Sequence, residues 1–275
     1  MKTGRRTVAV ATLVGALGFS VLNAPAAQAA DTGITVSEVV INKGKPIVVG
    51  TSKEAEPPLS FHVTLPAGYS TYEPFSYDAY PFLYRGSPKT AADTGENYIG
   101  PGVYICYELS SKKARCEGNL YIDPHWSQKH VDSNGDATTW KVAVGLRLFK
   151  DSGGLKAEEY ETRSQTAQLK RAAKATVNAA PEPVTKGKPV TVTGKLTRAN
   201  WSTKKYGAYS GRTVSLQFRA KGTDTFKTVK KATTSSTGAL KTTVTASTDG
   251  SWRWKYYGNT TTGVATSAAD YVDVR

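Results

Sequence analysis

Cys106 and Cys116 are the two cysteines of this 275-residue chain. An even pair so close together in an exported chain points to a disulfide. A catalytic thiol would need a free cysteine beside a histidine. The bond would pin the loop from Tyr107 to Arg115, which carries Lys112, Lys113 and Arg115 near its tip. A rigid basic loop can mimic the substrate of a trypsin-like protease and so inhibit it, because preorganisation lowers the ordering cost. The plainer reading is a stapled hairpin. Asp132-Ser133-Asn134-Gly135-Asp136 places oxygen ligands at alternate positions, as calcium loops do. The full loop fails, because Ala137 stands where Gly is needed and Ala143 where a bidentate acid is needed. The alternative is an Asn134-Gly135 hairpin turn leading into a strand at Trp140. Asp132, Asn134 and Asp136 are therefore weak metal candidates. His125, His130 and Asp132 have transition-metal chemistry but nothing that fixes their geometry. No cofactor is expected.

Catalytic signatures are missing. The chain holds no Gly-x-Ser-x-Gly, no His-Glu-x-x-His and no phosphate-cradling glycine loop. His62, His125 and His130 are the only histidines. A carboxylate pair for glycoside hydrolysis stays open, because such pairs need not be close in sequence.

Charge is the stronger signal. Residues 31–168 hold 14 Lys and Arg against 17 Asp and Glu, whereas residues 169–275 hold 19 against 5. So basic a segment repels itself and implies a polyanionic partner. The candidates for binding it are Lys186, Lys188, Lys195, Arg198, Lys204, Lys205, Arg219, Lys221, Lys230, Lys231, Arg253 and Lys255. A generic solubilising surface is the competing reading. Aromatic residues crowd a second region: Tyr69, Tyr72, Phe75, Tyr77, Tyr80, Phe82 and Tyr84. They form either a glycan platform or the packing of an irregular loop. Trp201, in a polar stretch, is expected to be exposed.

The elements that must position these residues read as strands. Val190, Val192 and Leu196 alternate with Thr191, Thr193 and Lys195; Val214, Leu216 and Phe218 alternate with Ser215, Gln217 and Arg219. Trp252, Trp254 and Tyr256 alternate with Arg253 and Lys255, which makes the tryptophans core. In the first half, Leu59 to Leu65, Val103 to Leu109 and Trp140 to Leu148 show the same period of two. The segment from Ala67 to Gly100 fits no regular element. Leu155 to Lys174 has helix-favouring residues but no 3.6 period, and is read as a last strand running into the second domain.

Residues 1–30 read as an export signal, with Lys2, Arg5 and Arg6 before an apolar run and Ala27-Gln28-Ala29 at the cleavage point. Lys43-Gly44-Lys45-Pro46-Ile47-Val48-Val49-Gly50 recurs as Lys186-Gly187-Lys188-Pro189-Val190-Thr191-Val192-Thr193-Gly194. In each copy a Gly permits an unusual dihedral and a Pro fixes the exit into a new strand. The spacing predicts two related domains, 31–168 and 169–275.

The run from Val177 through Pro181-Glu182-Pro183, Lys186 to Pro189, Gly194 to Ala199 and Trp201, then Val214 to Arg219, resembles a group of exported Ig-like proteins of actinobacteria. Tyr104-Ile105-Cys106-Tyr107 and Thr139-Trp140-Lys141-Val142 are similar to their N-terminal module. The resemblance implies secretion and tandem Ig-like sandwiches; it carries no catalytic residues. Together these readings predict an all-β, secreted, non-catalytic binding protein, associated with the cell wall. Its basic second domain is expected to meet teichoic acid or peptidoglycan, and its first domain another protein or a glycan.

Overall fold

A computed structural model of the chain describes residues 31–73, 75–125 and 131–275. The export signal expected at residues 1–30, and His130, lie outside them. In chain order the strands are β1 (Thr35–Ile41), β2 (Ile47–Val49), β3 (Pro58–Thr64), β4 (Tyr77–Tyr84), β5 (Tyr98–Ile99), β6 (Pro101–Ser110), β7 (Lys113–Leu120), β8 (Thr139–Phe149) and β9 (Leu155–Arg171). They continue as β10 (Ala173–Ala180), β11 (Pro189–Asn200), β12 (Lys205–Ala208), β13 (Thr213–Ala220), β14 (Lys227–Thr233), β15 (Ala239–Thr245), β16 (Gly250–Tyr256), β17 (Ala265–Thr266) and β18 (Asp270–Val272). A single helix, α1 (Pro88–Thr94), stands among the described residues.

The strands form two sandwiches. In the first, a sheet ordered β1-β3-β7-β6 faces one ordered β2-β9-β8-β4-β5. In the second, β10, β11, β12 and β15 make one sheet, and β14-β13-β16 with β17 and β18 make the other. Nearly all pairings are antiparallel; β2 runs parallel to β9. Leu59, Phe61 and Val63 meet Trp140, Val142, Val144 and Leu146 in the first core. Val190, Val192, Leu196, Leu216, Trp252 and Trp254 build the second. The apolar stripes of the alternating strands thus fill the two interiors, where dense packing removes them from water. In both copies of the repeated motif the glycine takes a positive φ, Gly44 at 70° and Gly187 at 82°.

The segment that fits no element in the sequence contains a central strand and the helix. β4 is buried on both faces. Leu83 points into the main core, while Tyr80, Phe82 and Tyr84 form a separate cluster with Ala91 of α1 and Ala143 of β8. Tyr80 lies so close to β8 that a Cβ at Gly145 would sit 2.3 Å from its ring. Ser87 caps α1 by accepting from the Thr90 amide, Pro88 starts the helix, and Gly95 closes it at φ 74°.

β6 inverts the usual polarity. Cys116 lies on the core face of β7, directly opposite Cys106, and the two are joined. Cys106 therefore faces inward with Tyr104. Because side chains alternate, Val103, Ile105, Tyr107 and Leu109 are turned to solvent.

The chain leaves the first sandwich at Ala172, whose amide donates to Val49 and whose carbonyl accepts from Ala199. Trp201, expected in solvent, is fully buried, and with Ala199 it belongs to the core of the first sandwich. Its indole donates to the carbonyls of Gly50 (3.0 Å) and Val49 (3.3 Å), and its amide donates to Asn134. The polar stretch around it is polar because it supplies these links. Nearby, Arg171 is buried without a partner for its Nε. Burial, with Arg198 adding repulsion, holds its pKa down at about 10.

Truncating Trp201 should empty a site shared by both sandwiches. Trp201→Ala is expected to cost about 3–5 kcal/mol, and calorimetry should resolve two melting transitions where the parent shows one coupled transition. A variant that melts like the parent would contradict the junction. Burial also pushes the Tyr98 hydroxyl up to about 12, and raises those of Tyr80 and Tyr104. A folded-state pKa raised above the unfolded value of roughly 10 gives stability that is intact below pH 10. That stability is lost as pH rises toward 12. Denaturant unfolding should lose roughly 1 kcal/mol per pH unit from Tyr98 alone across that window; a flat profile would contradict it.

Candidate functional site

The outward face of β13, β14 and β16 gathers four of the candidate cations. Residues paired across an antiparallel ladder share a face. Ser215 pairs with both Lys255 and Lys231, Gln217 with Arg253, and Arg219 with Ser251. The Phe226 ring contacts two guanidiniums, with its centroid 3.8 Å from Cζ of Arg253 and 4.9 Å from that of Arg219. Arg253 Nε donates to Gln217 Oε1 at 2.8 Å, and Gln217 Nε2 donates to the Tyr257 hydroxyl at 3.3 Å. Lys255 rests over the Tyr257 ring. The ion pairs within this sandwich are Lys221 with Asp249 and Arg275 with Asp273, so among the described residues these four cations have no carboxylate partner. Cations held by stacking and left unpaired can offer flat donor forks to phosphate or carboxylate.

The other eight candidates do not join this face. Lys195 is exposed on β11, in the opposite sheet, and Lys205 is exposed on β12. Lys186 and Lys188 sit in the turn before β11. Lys221 pairs with Asp249 at 3.2 Å, and Lys230 donates to the Thr243 carbonyl. Arg198 lies 4.1 Å over the Tyr209 ring and donates to Thr262. Lys204 reaches across to the Val131 carbonyl at 3.2 Å. Arg198 and Lys204 thus serve the junction. The strands that carry the cations belong to two sheets facing opposite ways, so a single basic surface is geometrically barred to the full set.

The oxygen-rich run at Asp132 to Asp136 contains a 3₁₀ turn, Asn134–Asp136, in place of the hairpin turn read from sequence. Asp136 accepts from the amides of Asp132 (3.0 Å) and Ser133 (2.8 Å) and from Arg85 (2.5 Å). Asn134 bonds to Asn200 and to the Trp201 amide, and Asp132 lies 3.8 Å from Lys204. The oxygens a cation would need are committed to protein donors. Among the described residues no group of three His, Cys, Asp or Glu could hold a metal; His125 interacts locally with Asp123.

The disulfide hairpin is flat and closed. Lys113 and Arg115 lie in β7, which is paired on one side with β3 and on the other with β6. Lys112 folds back to donate to the carbonyls of Pro66 and Tyr69, and Arg115 pairs with Glu117. A protease binds an inhibitor's backbone as an extended strand; here both edges of that strand are taken. Lys113 and Arg115 of the expected inhibitory loop therefore lie on a strand paired on both sides.

No family model matches the chain, and no curated protein matches it. Among solved structures it is similar to a marsupial T cell receptor at 7% identity, covering 88% of this chain and 73% of that one with a TM-score of 0.36. It is similar to the D00-D0 domain of intimin at 12% identity, covering 87% and 98% with a TM-score of 0.26. Fibronectin(III)-like modules of Clostridium thermocellum CbhA match at 11% identity, covering 86% and 93% with a TM-score of 0.27.

Several concavities lie on the first sandwich. A cavity of 380 Å³ is lined by Tyr77, Asp78, Tyr104, Glu108 and the disulfide. Asp78 accepts from the Tyr104 hydroxyl at 2.9 Å. Glu108 is exposed at the rim of this cavity. A shallower hollow of 480 Å³ holds Tyr72, Phe75, Lys150 and Asp151. Of the crowded aromatics, Tyr72 and Phe75 are exposed, whereas Tyr80, Phe82 and Tyr84 pack inside.

Asp136→Ala removes the ion pair with Arg85, which keeps Asn97 and the Trp140 ring, and leaves two backbone amides without their acceptor. It is expected to lower stability by about 3 kcal/mol. Millimolar calcium should leave the melting temperature of the parent unchanged. A calcium-dependent rise that Asp136→Ala abolishes would restore the metal reading.

Proposed function

We propose that this protein is a non-catalytic binding module of the cell exterior. Its second sandwich holds an anionic envelope polymer, teichoic acid or peptidoglycan, through the outward face of β13, β14 and β16. The observation that carries this is the contact of the Phe226 ring with both Arg219 and Arg253, with Lys231 and Lys255 on the same face and no carboxylate partner for any of the four among the described residues. Stacked cations lose less freedom on binding than free ones. Each phosphate or carboxylate they neutralise releases counterions, which makes binding steeply salt-dependent. The Cys106–Cys116 bond suits an oxidising compartment. No helix among the described residues is long and apolar enough to cross a membrane. The hollow at Tyr72 and Phe75 offers the first sandwich a separate place for a glycan or another protein.

Co-sedimentation with purified walls tests this reading. The protein should pellet at low salt and be released at high salt. Lys231→Glu with Lys255→Glu should weaken retention by roughly tenfold or more. Walls stripped of teichoic acid separate the two polymers. Equal retention at both salt concentrations, or none at all, would refute it.

A further inference from the structure

β6 forms the open edge of the sheet β1-β3-β7-β6. Its outward residues are unusually bare: Val103 is 83% exposed, Ile105 59%, Tyr107 54% and Leu109 60%. Edge strands are normally shielded by charge, bulges or shortness. Among the described residues most other edges follow that rule, and the other long edges, β10 and β15, carry Lys174 and Lys241. β14 carries Lys227, Lys230 and Lys231; β1 has an irregularity between Ser37 and Val40; β2, β5, β12, β17 and β18 are two to four residues long. β6 runs for ten residues; it opens on Pro101 and has a register shift near each end, but the regular stretch from Tyr104 to Glu108 has no bulge, no lysine and no proline, and Glu108 is its one charge.

We propose that β6 is a self-association edge. Two copies of this chain pair their β6 strands antiparallel about a two-fold axis at Cys106, which joins two four-stranded sheets into one. This does not rest on the polyanion reading.

The register follows from the ladder already present. Cys106 and Cys116 have Cα atoms 3.9 Å apart, which marks a non-hydrogen-bonded site between β6 and β7. Cys106 therefore directs its own N–H and C=O to the free edge, as do Tyr104 and Glu108 in the regular stretch between the two register shifts. A two-fold partner must pair through these three residues, with the axis at one of them or at Ile105 or Tyr107 between them. An axis at Ile105 sets Leu109 against Pro101, and one at Tyr107 sets Val103 against Ser111, beyond the end of β6. An axis at Glu108 sets two carboxylates face to face. An axis at Tyr104 leaves Leu109 beyond the end of the partner strand. An axis at Cys106 sets Ile105 against Tyr107 of the second copy, Val103 against Leu109, and Tyr104 against Glu108. Every apolar side chain then meets an apolar one, and the only charged group meets a phenol. Such self-complementarity favours a second copy over an unrelated strand, and it closes both edges at once.

Sedimentation velocity should show a dimer that dissociates on dilution. Ile105→Lys and Tyr107→Lys, both at exposed positions, should each weaken it by roughly tenfold or more while leaving the circular dichroism and melting curve of the fold unchanged. Val229→Lys, exposed on β14, should leave the dimer intact. Under mild oxidation, a mixture of Ile105→Cys and Tyr107→Cys proteins should cross-link faster than either alone, since those positions face each other across the axis. A monomer at every concentration, a dimer that survives both lysine substitutions, or cross-linking of each variant with itself as fast as the mixture would overturn the proposal.

Discussion

Trp201 sets the arrangement of the whole molecule. It leaves the second sandwich at the end of β11, enters the core of the first, and donates its indole proton to carbonyls at the end of β2. A tryptophan removes more apolar surface from water than most side chains, but its N–H must find an acceptor when buried. Here the acceptors belong to the other sandwich, so burial and satisfaction are achieved only in one relative orientation. Asn134 reinforces this by bonding both Asn200 and the Trp201 amide, and Asp136 holds that turn in place through Arg85 and two amides. A carboxylate that resembles a metal ligand in sequence is thus part of a joint between domains.

The disulfide exerts a comparable constraint within the first sandwich. In a strand, side-chain direction is decided by parity alone. Once Cys116 is committed to the core beside Phe61, the bond commits Cys106 to the same side and every odd-numbered neighbour to the other. Four apolar residues are exposed because one covalent link fixes their phase. The same link lines the cavity at Asp78 and Glu108.

The limits of the sequence follow from these two constraints. Strands with one wet and one dry face were legible. Leu59 to Leu65 and Trp252 to Tyr256 alternate cleanly, and their apolar members are the buried ones. β4 was not legible, because a strand buried on both faces shows no alternation and its tyrosines read as loop. The period of β6 was visible, but its sense was not: alternation says that two faces differ, never which one meets the core. Trp201 was misread because its pocket is built by residues about 150 positions earlier in the chain. The basic face was only half visible. Lysines and arginines could be counted, yet their division between two opposed sheets, and the contact of Phe226 with two of them, depend on register.

These constraints bear on how weak contacts become useful ones. An exposed lysine contributes little to binding by itself, and screening by salt reduces it further. A chain can compensate by fixing several cations on one rigid face and by presenting that face more than once. The first condition is met by β13, β14 and β16, whose ladder sets the spacing and whose aromatic neighbours restrain the side chains. The second depends on the joint at Trp201. If two copies pair through β6, the basic faces stand at a separation set by packed cores rather than by a flexible linker. A long polymer that engages one face then finds the other at high effective concentration, and avidity grows without any new contact. With a loose joint that gain would fall away, which is why one buried indole, remote from every cation on the face, still governs how well the face can bind.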